Sequence, residues 1–182
     1  MWIKILIGVA VLIVLLLLLI VSRPSTFHVE RSITIAAPPQ RVFALVNDFR
    51  QWPAWSPWEK KDPNMKRTYG DLTQGVGGTY AWAGNGNVGE GKMTIERSER
   101  PTLVRIKLEF FKPFAGTNAA KFDLTPTPGG TKVTWGMDGN YVFITKAFSL
   151  VMSMDKMIGN DFETGLAAMK AAAEADAQAA AH

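Results

Sequence analysis

A run of seventeen residues, from Ile5 to Val21, contains no charged or hydrogen-bonding side chain. At a helical rise of about 1.5 Å per residue it reaches roughly 26 Å. With Trp2 and Ile3 it approaches the thickness of a bilayer core, about 30 Å. A helix satisfies its own backbone groups, so surrounding lipid leaves no orphan donors. Lys4 and Arg23 flank the run where their long stems reach headgroups, and Trp2 suits the interface. The pattern predicts a single-pass anchor within residues 1–24 that meets lipid through residues 3–21. Two other readings compete with it. A cleaved signal peptide has a shorter apolar stretch, about 7–15 residues, and small residues before the cut. Here the exit reads Ile20-Val21-Ser22-Arg23-Pro24. A buried core helix is rarely apolar on every face. The side of the membrane stays open: Lys4 favours a cytoplasmic amino terminus, whereas Arg23 and Arg31 pull the other way. The chain has no cysteine, so its fold needs no disulfide and suits either redox compartment.

Residues 25–182 amount to one domain, long enough to bury about two-thirds of the unfolded surface. The whole chain has 20 basic and 16 acidic residues. Setting aside Lys4 and Arg23 leaves 18 against 16, a net charge near +2. That is a poor footprint for nucleic acid, which needs a clustered basic face, and only a weak one for anionic headgroups.

Residues 27–35 alternate apolar and polar, the period of a half-buried strand. Pro38-Pro39 ends it, and Val42, Phe43, Leu45 and Val46 follow at helical spacing, predicting a short helix over 39–47. Proline breaks residues 48–58 into one helical turn and an irregular, aromatic-rich connection. Strands are predicted at 65–69, 78–83, 88–99, 103–111, 117–125 and 131–142. Gly84-Asn85-Gly86-Asn87 marks a hairpin, because Gly and Asn tolerate positive φ. A long helix is predicted over 145–175, with an apolar stripe of Phe148, Val151, Met152, Ile158, Phe162, Leu166 and Met169. The Ala-rich tail from about residue 171 has little to pack and is expected to fray. The order defines an α+β domain whose sheet can curl around the closing helix.

Particular segments carry a likeness. Ala37-Pro38-Pro39 followed by Val42-Phe43-Ala44-Leu45, the element Trp52-Pro53-x-Trp55-Ser56-Pro57-Trp58, and a long carboxy-terminal helix after six strands resemble the START-like (SRPBCC) superfamily. More narrowly, they are similar to its bacterial polyketide cyclase/dehydrase and lipid-transport branch. Val88-Gly89-Glu90-Gly91, Lys112-Pro113-Phe114 and the stretch from Met154 to Leu166 are similar to one subgroup. The likeness covers nearly everything after Phe27. It speaks for fold rather than activity, since this superfamily shares a cavity and not a catalytic set. It implies a helix-grip fold: a bent antiparallel sheet of six or seven strands around the last helix, enclosing an apolar cavity.

Catalytic motifs are sparse. There is no phosphate loop and no nucleophile elbow. His28 and His182 are the only histidines and cannot form a zinc motif, so neither metal nor cofactor is expected. His28 falls on a wet strand face. Glu90 is the acid/base candidate, because its flanking glycines let a ligand approach and burial would raise its pKa. Alternation sets it instead with Lys92, Thr94 and Glu96, facing water unless a bulge intervenes. Asp155 and Glu163 share one helix face, with Lys156 and Lys170 as neighbours. Asp138 falls among polar strand positions.

The aromatic and methionine set is more informative. Trp55, Trp58, Tyr80, Trp82, Phe110, Phe122, Trp135, Met137, Met152 and Phe162 form the expected cavity lining. Met adapts to varied apolar shapes, and Trp and Tyr add a polar handle. Each alone is more simply a packed core residue; together they point to a lined cavity. The expected function is membrane-anchored binding of an apolar molecule: a lipid, an isoprenoid or a polyketide-like compound. The alternatives are a cyclase/dehydratase-type enzyme with Glu90 or a tyrosine assisting proton transfer, and a protein-interaction module presenting an exposed Trp52-Trp55-Trp58 edge.

Overall fold

The computed structural model describes residues 2–179. Helix α1 (Trp2–Ser22) leads into β1 (Thr26–Ile35), followed by α2 (Pro39–Asn47), a 3-10 turn (Phe49–Ala54) and α3 (Pro57–Lys61). Six further strands follow: β2 (Lys66–Tyr69), β3 (Thr79–Ala83), β4 (Glu90–Glu99), β5 (Leu103–Lys112), β6 (Gly116–Thr127) and β7 (Gly130–Asn140). A short α4 (Phe143–Phe148) and a long α5 (Met154–Ala179) close the chain. The strands form one antiparallel sheet in the order β1-β7-β6-β5-β4-β3-β2. Its alternation is visible residue by residue. Val104 and Ile106 of β5, Ala120, Phe122 and Leu124 of β6, and Val133, Trp135 and Met137 of β7 are buried, while their sequence neighbours face outward or are half-buried. The buried row meets α5 through Phe162, Leu166, Met169 and Ala173.

Pairing register aligns the ends of the sheet. Thr26 of β1 lies opposite Asn140 of β7, Asn118 of β6 opposite Gly139, and Gly116 opposite Phe110. Glu90 lies opposite both Lys112 and Ala83. The start of β1 and the turns β3–β4 and β5–β6 therefore share one end, which is also where α1 arrives and α4 begins. We call it the anchor end, after the role expected of α1.

The long closing helix differs from expectation. It is broken at residues 149–153, and only Met154 onward forms α5. Ser153 caps the new start, its Oγ accepting from Lys156 N at 3.3 Å. Phe148, Val151 and Met152, expected in the core stripe, are exposed. The tail departs in the opposite sense. It is helical to Ala179, Ala173 is fully buried, and the Glu174 carboxylate accepts from the backbone N–H of Ala36 at 2.7 Å. Residues 180–182 lie outside the described residues, so the expected fraying there is not addressed.

Asp155 and Glu163 do share a face, but their partner is Arg31 of β1 rather than a helix neighbour. The guanidinium donates to Asp155 at 2.7 Å and to Glu163 at 2.7 Å, clamping β1 to α5. Gly159 lies between the two acids, and a Cβ there would occupy the space of the Arg31 guanidinium. The Arg31 hydrogen bonds hold the Asp155 carboxyl below its ordinary value of 3.8. A depressed carboxyl contributes stability above its unfolded pKa and loses it as pH falls through the folded one. Wild type should melt higher than Arg31→Gln near neutrality, and the gap should close as pH falls below the carboxylate range. A gap that stays constant through an acid titration followed by thermal melting contradicts this.

Candidate functional site: an aromatic interior with one unpaired donor

The prolines of the irregular connection bend it inward. Asp48 opens the 3-10 turn by accepting from Arg50 N at 2.9 Å, and Pro57 starts α3. Trp52 and Trp55 are thereby buried against the sheet and Trp58 is half-buried. This removes the exposed tryptophan edge on which the interaction-module alternative depended. The backbone carbonyls of α2 anchor two of the indoles: Trp55 Nε1 donates to Leu45 O at 2.9 Å and Trp52 Nε1 to Val46 O at 3.0 Å.

At the centre stands Trp135 of β7. Its ring stacks on Phe162 of α5 at 4.0 Å and 5° and on Phe122 of β6 at 5.0 Å and 23°. Trp55 and Trp58 meet it edge-on at 5.5 and 5.7 Å. Gly165 makes the approach possible: a Cβ there would press on both Pro57 and the Trp135 ring. Ring contacts continue from Phe122 through Trp52, Phe49, Tyr80 and Trp82 to Phe110. Met137, also buried, neighbours Trp135 along the inward face of β7. These residues pack into one wall, the inward side of the sheet with its α3 and α5 cover. Met152 lies apart from it, exposed between α4 and α5.

Trp135 is 2% exposed, and its indole N–H has no hydrogen-bond partner among the described residues. Trp52, Trp55 and Trp82 all have one. A buried donor left unpaired costs about 1–3 kcal/mol.

A second feature was not read from the sequence. Glu59 of α3 is buried, accepting from the Tyr80 hydroxyl at 2.8 Å and from Arg67 Nε at 2.6 Å. Burial first, and then the Glu59 hydrogen bond, push the Tyr80 phenol far above its ordinary range, so it remains a donor. The available signal was Arg67: in the four-residue β2 it lies opposite Trp82, on the inward side, and an inward arginine demands an acid.

Glu90 alternates with buried Gly91 and Met93 and lies on the outer face, despite a register shift at Glu90/Gly91. Its carboxylate receives Lys112 Nζ at 2.7 Å. His28 is exposed on the outer face, where Asp138 is 2.7 Å from its Nδ1 and, chiefly through that hydrogen bond, raises its pKa. An open groove of about 630 Å³ runs along this outer face, past His28, Asp138, Arg105 and Lys107. Among the described residues no group of three His, Cys, Asp or Glu side chains could hold a metal ion.

A bent antiparallel sheet gripping a carboxy-terminal helix over an aromatic interior defines the helix-grip class, the START-like (SRPBCC) superfamily. Residues 26–174 match the polyketide cyclase/dehydrase and lipid transport family, and the chain belongs to it. Solved structures share the fold at low identity. Protein CV1439 from Chromobacterium violaceum is 15% identical with a TM-score of 0.57, covering 83% of this chain and 99% of that one. The di-domain ARO/CYC StfQ from the steffimycin biosynthetic pathway is 9% identical with a TM-score of 0.61, covering 85% of this chain and 52% of that one. The Aha1 dimer from Colwellia psychrerythraea is 17% identical with a TM-score of 0.56, covering 81% and 96%. Among curated proteins, none matches this chain.

Proposed function

We propose that this protein is a membrane-tethered binder of an apolar molecule (lipid, isoprenoid or polyketide-like) that carries a hydrogen-bond acceptor. The observation that carries the proposal is the unpaired indole N–H of Trp135, buried among aromatic rings. Neither the outer-face groove nor the small pocket beside Phe43 reaches Trp135, so a ligand has to open room in this packed stack; an apolar body gains by burial there, and the one polar contact fixes its orientation. A ligand acceptor at Trp135 would relieve the desolvation cost of that donor, so the affinity gained exceeds that of an ordinary exposed hydrogen bond. The family's description, polyketide cyclase/dehydrase and lipid transport, supports the same ligand chemistry.

The tether rests on α1, which is long and apolar enough to cross a membrane and almost wholly exposed. Anchoring suits an apolar ligand, which partitions into the bilayer and is scarce in water. The enzymatic alternative would use Glu90, whose carboxylate is engaged by Lys112 on the opposite side of β4 from the aromatic wall. The test is the indole resonance of Trp135 in the full chain held in phosphatidylcholine nanodiscs. Oleic acid, apolar with a terminal acceptor, should move that resonance downfield; a resonance that ignores oleic acid and cellular lipid extract contradicts the proposal.

A further inference from the structure

Outside α1, the exposed large apolar side chains are unevenly placed. Leu72 and Val76 lie in the β2–β3 connection, away from the anchor end. The others gather at the anchor end. Phe143, Ile144 and Phe148 of α4 are exposed, and Val151, in the break before α5, is 90% exposed. Phe114 joins them from the β5–β6 turn at the same end of the sheet. Isolated exposed apolar residues need no explanation, but a cluster of aromatic and branched side chains on one short segment does.

That segment is fastened to the exit of α1. Lys146 Nζ of α4 donates to Val21 O at 3.0 Å and lies 3.2 Å from Ser25 Oγ. Arg23 Nη2 donates to Ser149 O at 3.2 Å. Tyr141 N donates to Ser25 O at 2.8 Å, holding the end of β7 against the same linker. A helix crossing a bilayer must leave it near Ser22, where these bonds place α4. The apolar cluster cannot then be far from the lipid surface.

We infer that α4 and the break that follows it form a lipid-embedded foot, which seats the domain on the bilayer that α1 crosses. This rests on the reading of α1 as an anchor. The occupant is lipid rather than another protein, because the patch is continuous with the apolar surface of α1 and its cations stand at the rim. Lys146 and Arg23 bond to the α1 exit, and Lys156 is exposed one turn into α5. Apolar side chains below and cations at headgroup level are the pattern of an interfacial helix. The foot also explains why the closing helix breaks: a continuous helix would carry its stripe wholly into the core, whereas the break turns Phe148 and Val151 outward. From the foot, Met154, Ile158 and Phe162 step along one face of α5 towards the Trp135 stack.

The absence of native cysteine allows a clean test. Single cysteines placed as Leu12→Cys, Phe148→Cys, Val151→Cys and Leu72→Cys in the full chain would carry an environment-sensitive fluorophore. The labelled chains are reconstituted in phosphatidylcholine vesicles with and without doxyl-labelled lipid. The inference expects blue-shifted, doxyl-quenched emission at residues 12, 148 and 151, and unquenched, water-like emission at 72. Quenching at 12 but not at 148 or 151 overturns the foot and leaves the anchor standing. A label at 148 that is blue-shifted yet unquenched means a protein covers the face, a second copy or another partner, and also overturns it. No quenching at 12 overturns the anchor and the foot with it. Both foot positions are exposed, so their substitution leaves the packed core intact, as circular dichroism should verify.

Discussion

Replacing Phe162 with alanine should lower the stability of the domain by about 3–5 kcal/mol, the usual cost of removing a buried aromatic ring. Phe162 is fully buried, stacks on Trp135 at 4.0 Å and meets Trp58 edge-on at 6.3 Å. Its ring lies between the sheet and α5, so neither layer can relax into the gap without losing its other contacts. Phe148→Ala is the control. Its ring is exposed, and its loss should fall within about 0.5 kcal/mol in detergent. Urea denaturation of both variants in one detergent gives the comparison. A cost below about 1 kcal/mol for Phe162→Ala would mean that the stack at Trp135 does not hold sheet and helix together.

Glu59→Leu should cost about 2–3 kcal/mol, because it strands a buried tyrosine hydroxyl and leaves Arg67 without its carboxylate. Tyr80→Phe should cost less, about 1 kcal/mol, since it removes one neutral donor and leaves the ion pair in place. The informative variant is the double change Glu59→Leu with Arg67→Leu. If the single substitution hurts because it leaves a cation unpaired, removing the cation as well should recover part of the loss. Additive losses would contradict the coupled network and reduce Glu59 to a packing residue.

Much of the fold was legible because strands declare themselves by period two. The alternation through Val104, Ile106 and Leu108, and through Val133, Trp135 and Met137, could face a core in only one way. The Pro39 start of α2 was equally plain; the hairpin before β4 stands where the glycine-asparagine run marks it, but its positive φ falls at Gly89 and not within residues 84–87. The closing helix was harder. Phe148, Val151 and Met152 continue the helical spacing of Ile158 and Phe162, and spacing alone cannot separate a core-facing residue from an exposed one. The local signal was Ser153, a helix-starting residue inside an apparent helix.

The candidate site was legible in composition but not in polarity. Large aromatics spaced along inward strand positions pointed to an aromatic interior, and the core holds them. No sequence pattern could show that Trp135, alone among the three buried indoles, would lack an acceptor; that depends on which carbonyls α2 presents. Glu90 drew attention because glycines flank it, yet those glycines serve packing, Gly91 giving room to the Trp82 ring. The buried acid is Glu59, carried inward by a five-residue helix too short to show a period.

The central claim is that the unpaired Trp135 donor meets an acceptor on a bound apolar molecule. The most direct measurement follows the six indole N–H resonances of the isotope-labelled full chain in phosphatidylcholine nanodiscs, with Trp135 assigned by its loss in Trp135→Phe. The account predicts a downfield shift of the Trp135 proton on adding oleic acid, no such shift with decane, which has no acceptor, and weaker retention of oleic acid by Trp135→Phe. A Trp135 resonance that moves equally with decane, or does not move with oleic acid or with cellular lipid extract, would contradict it.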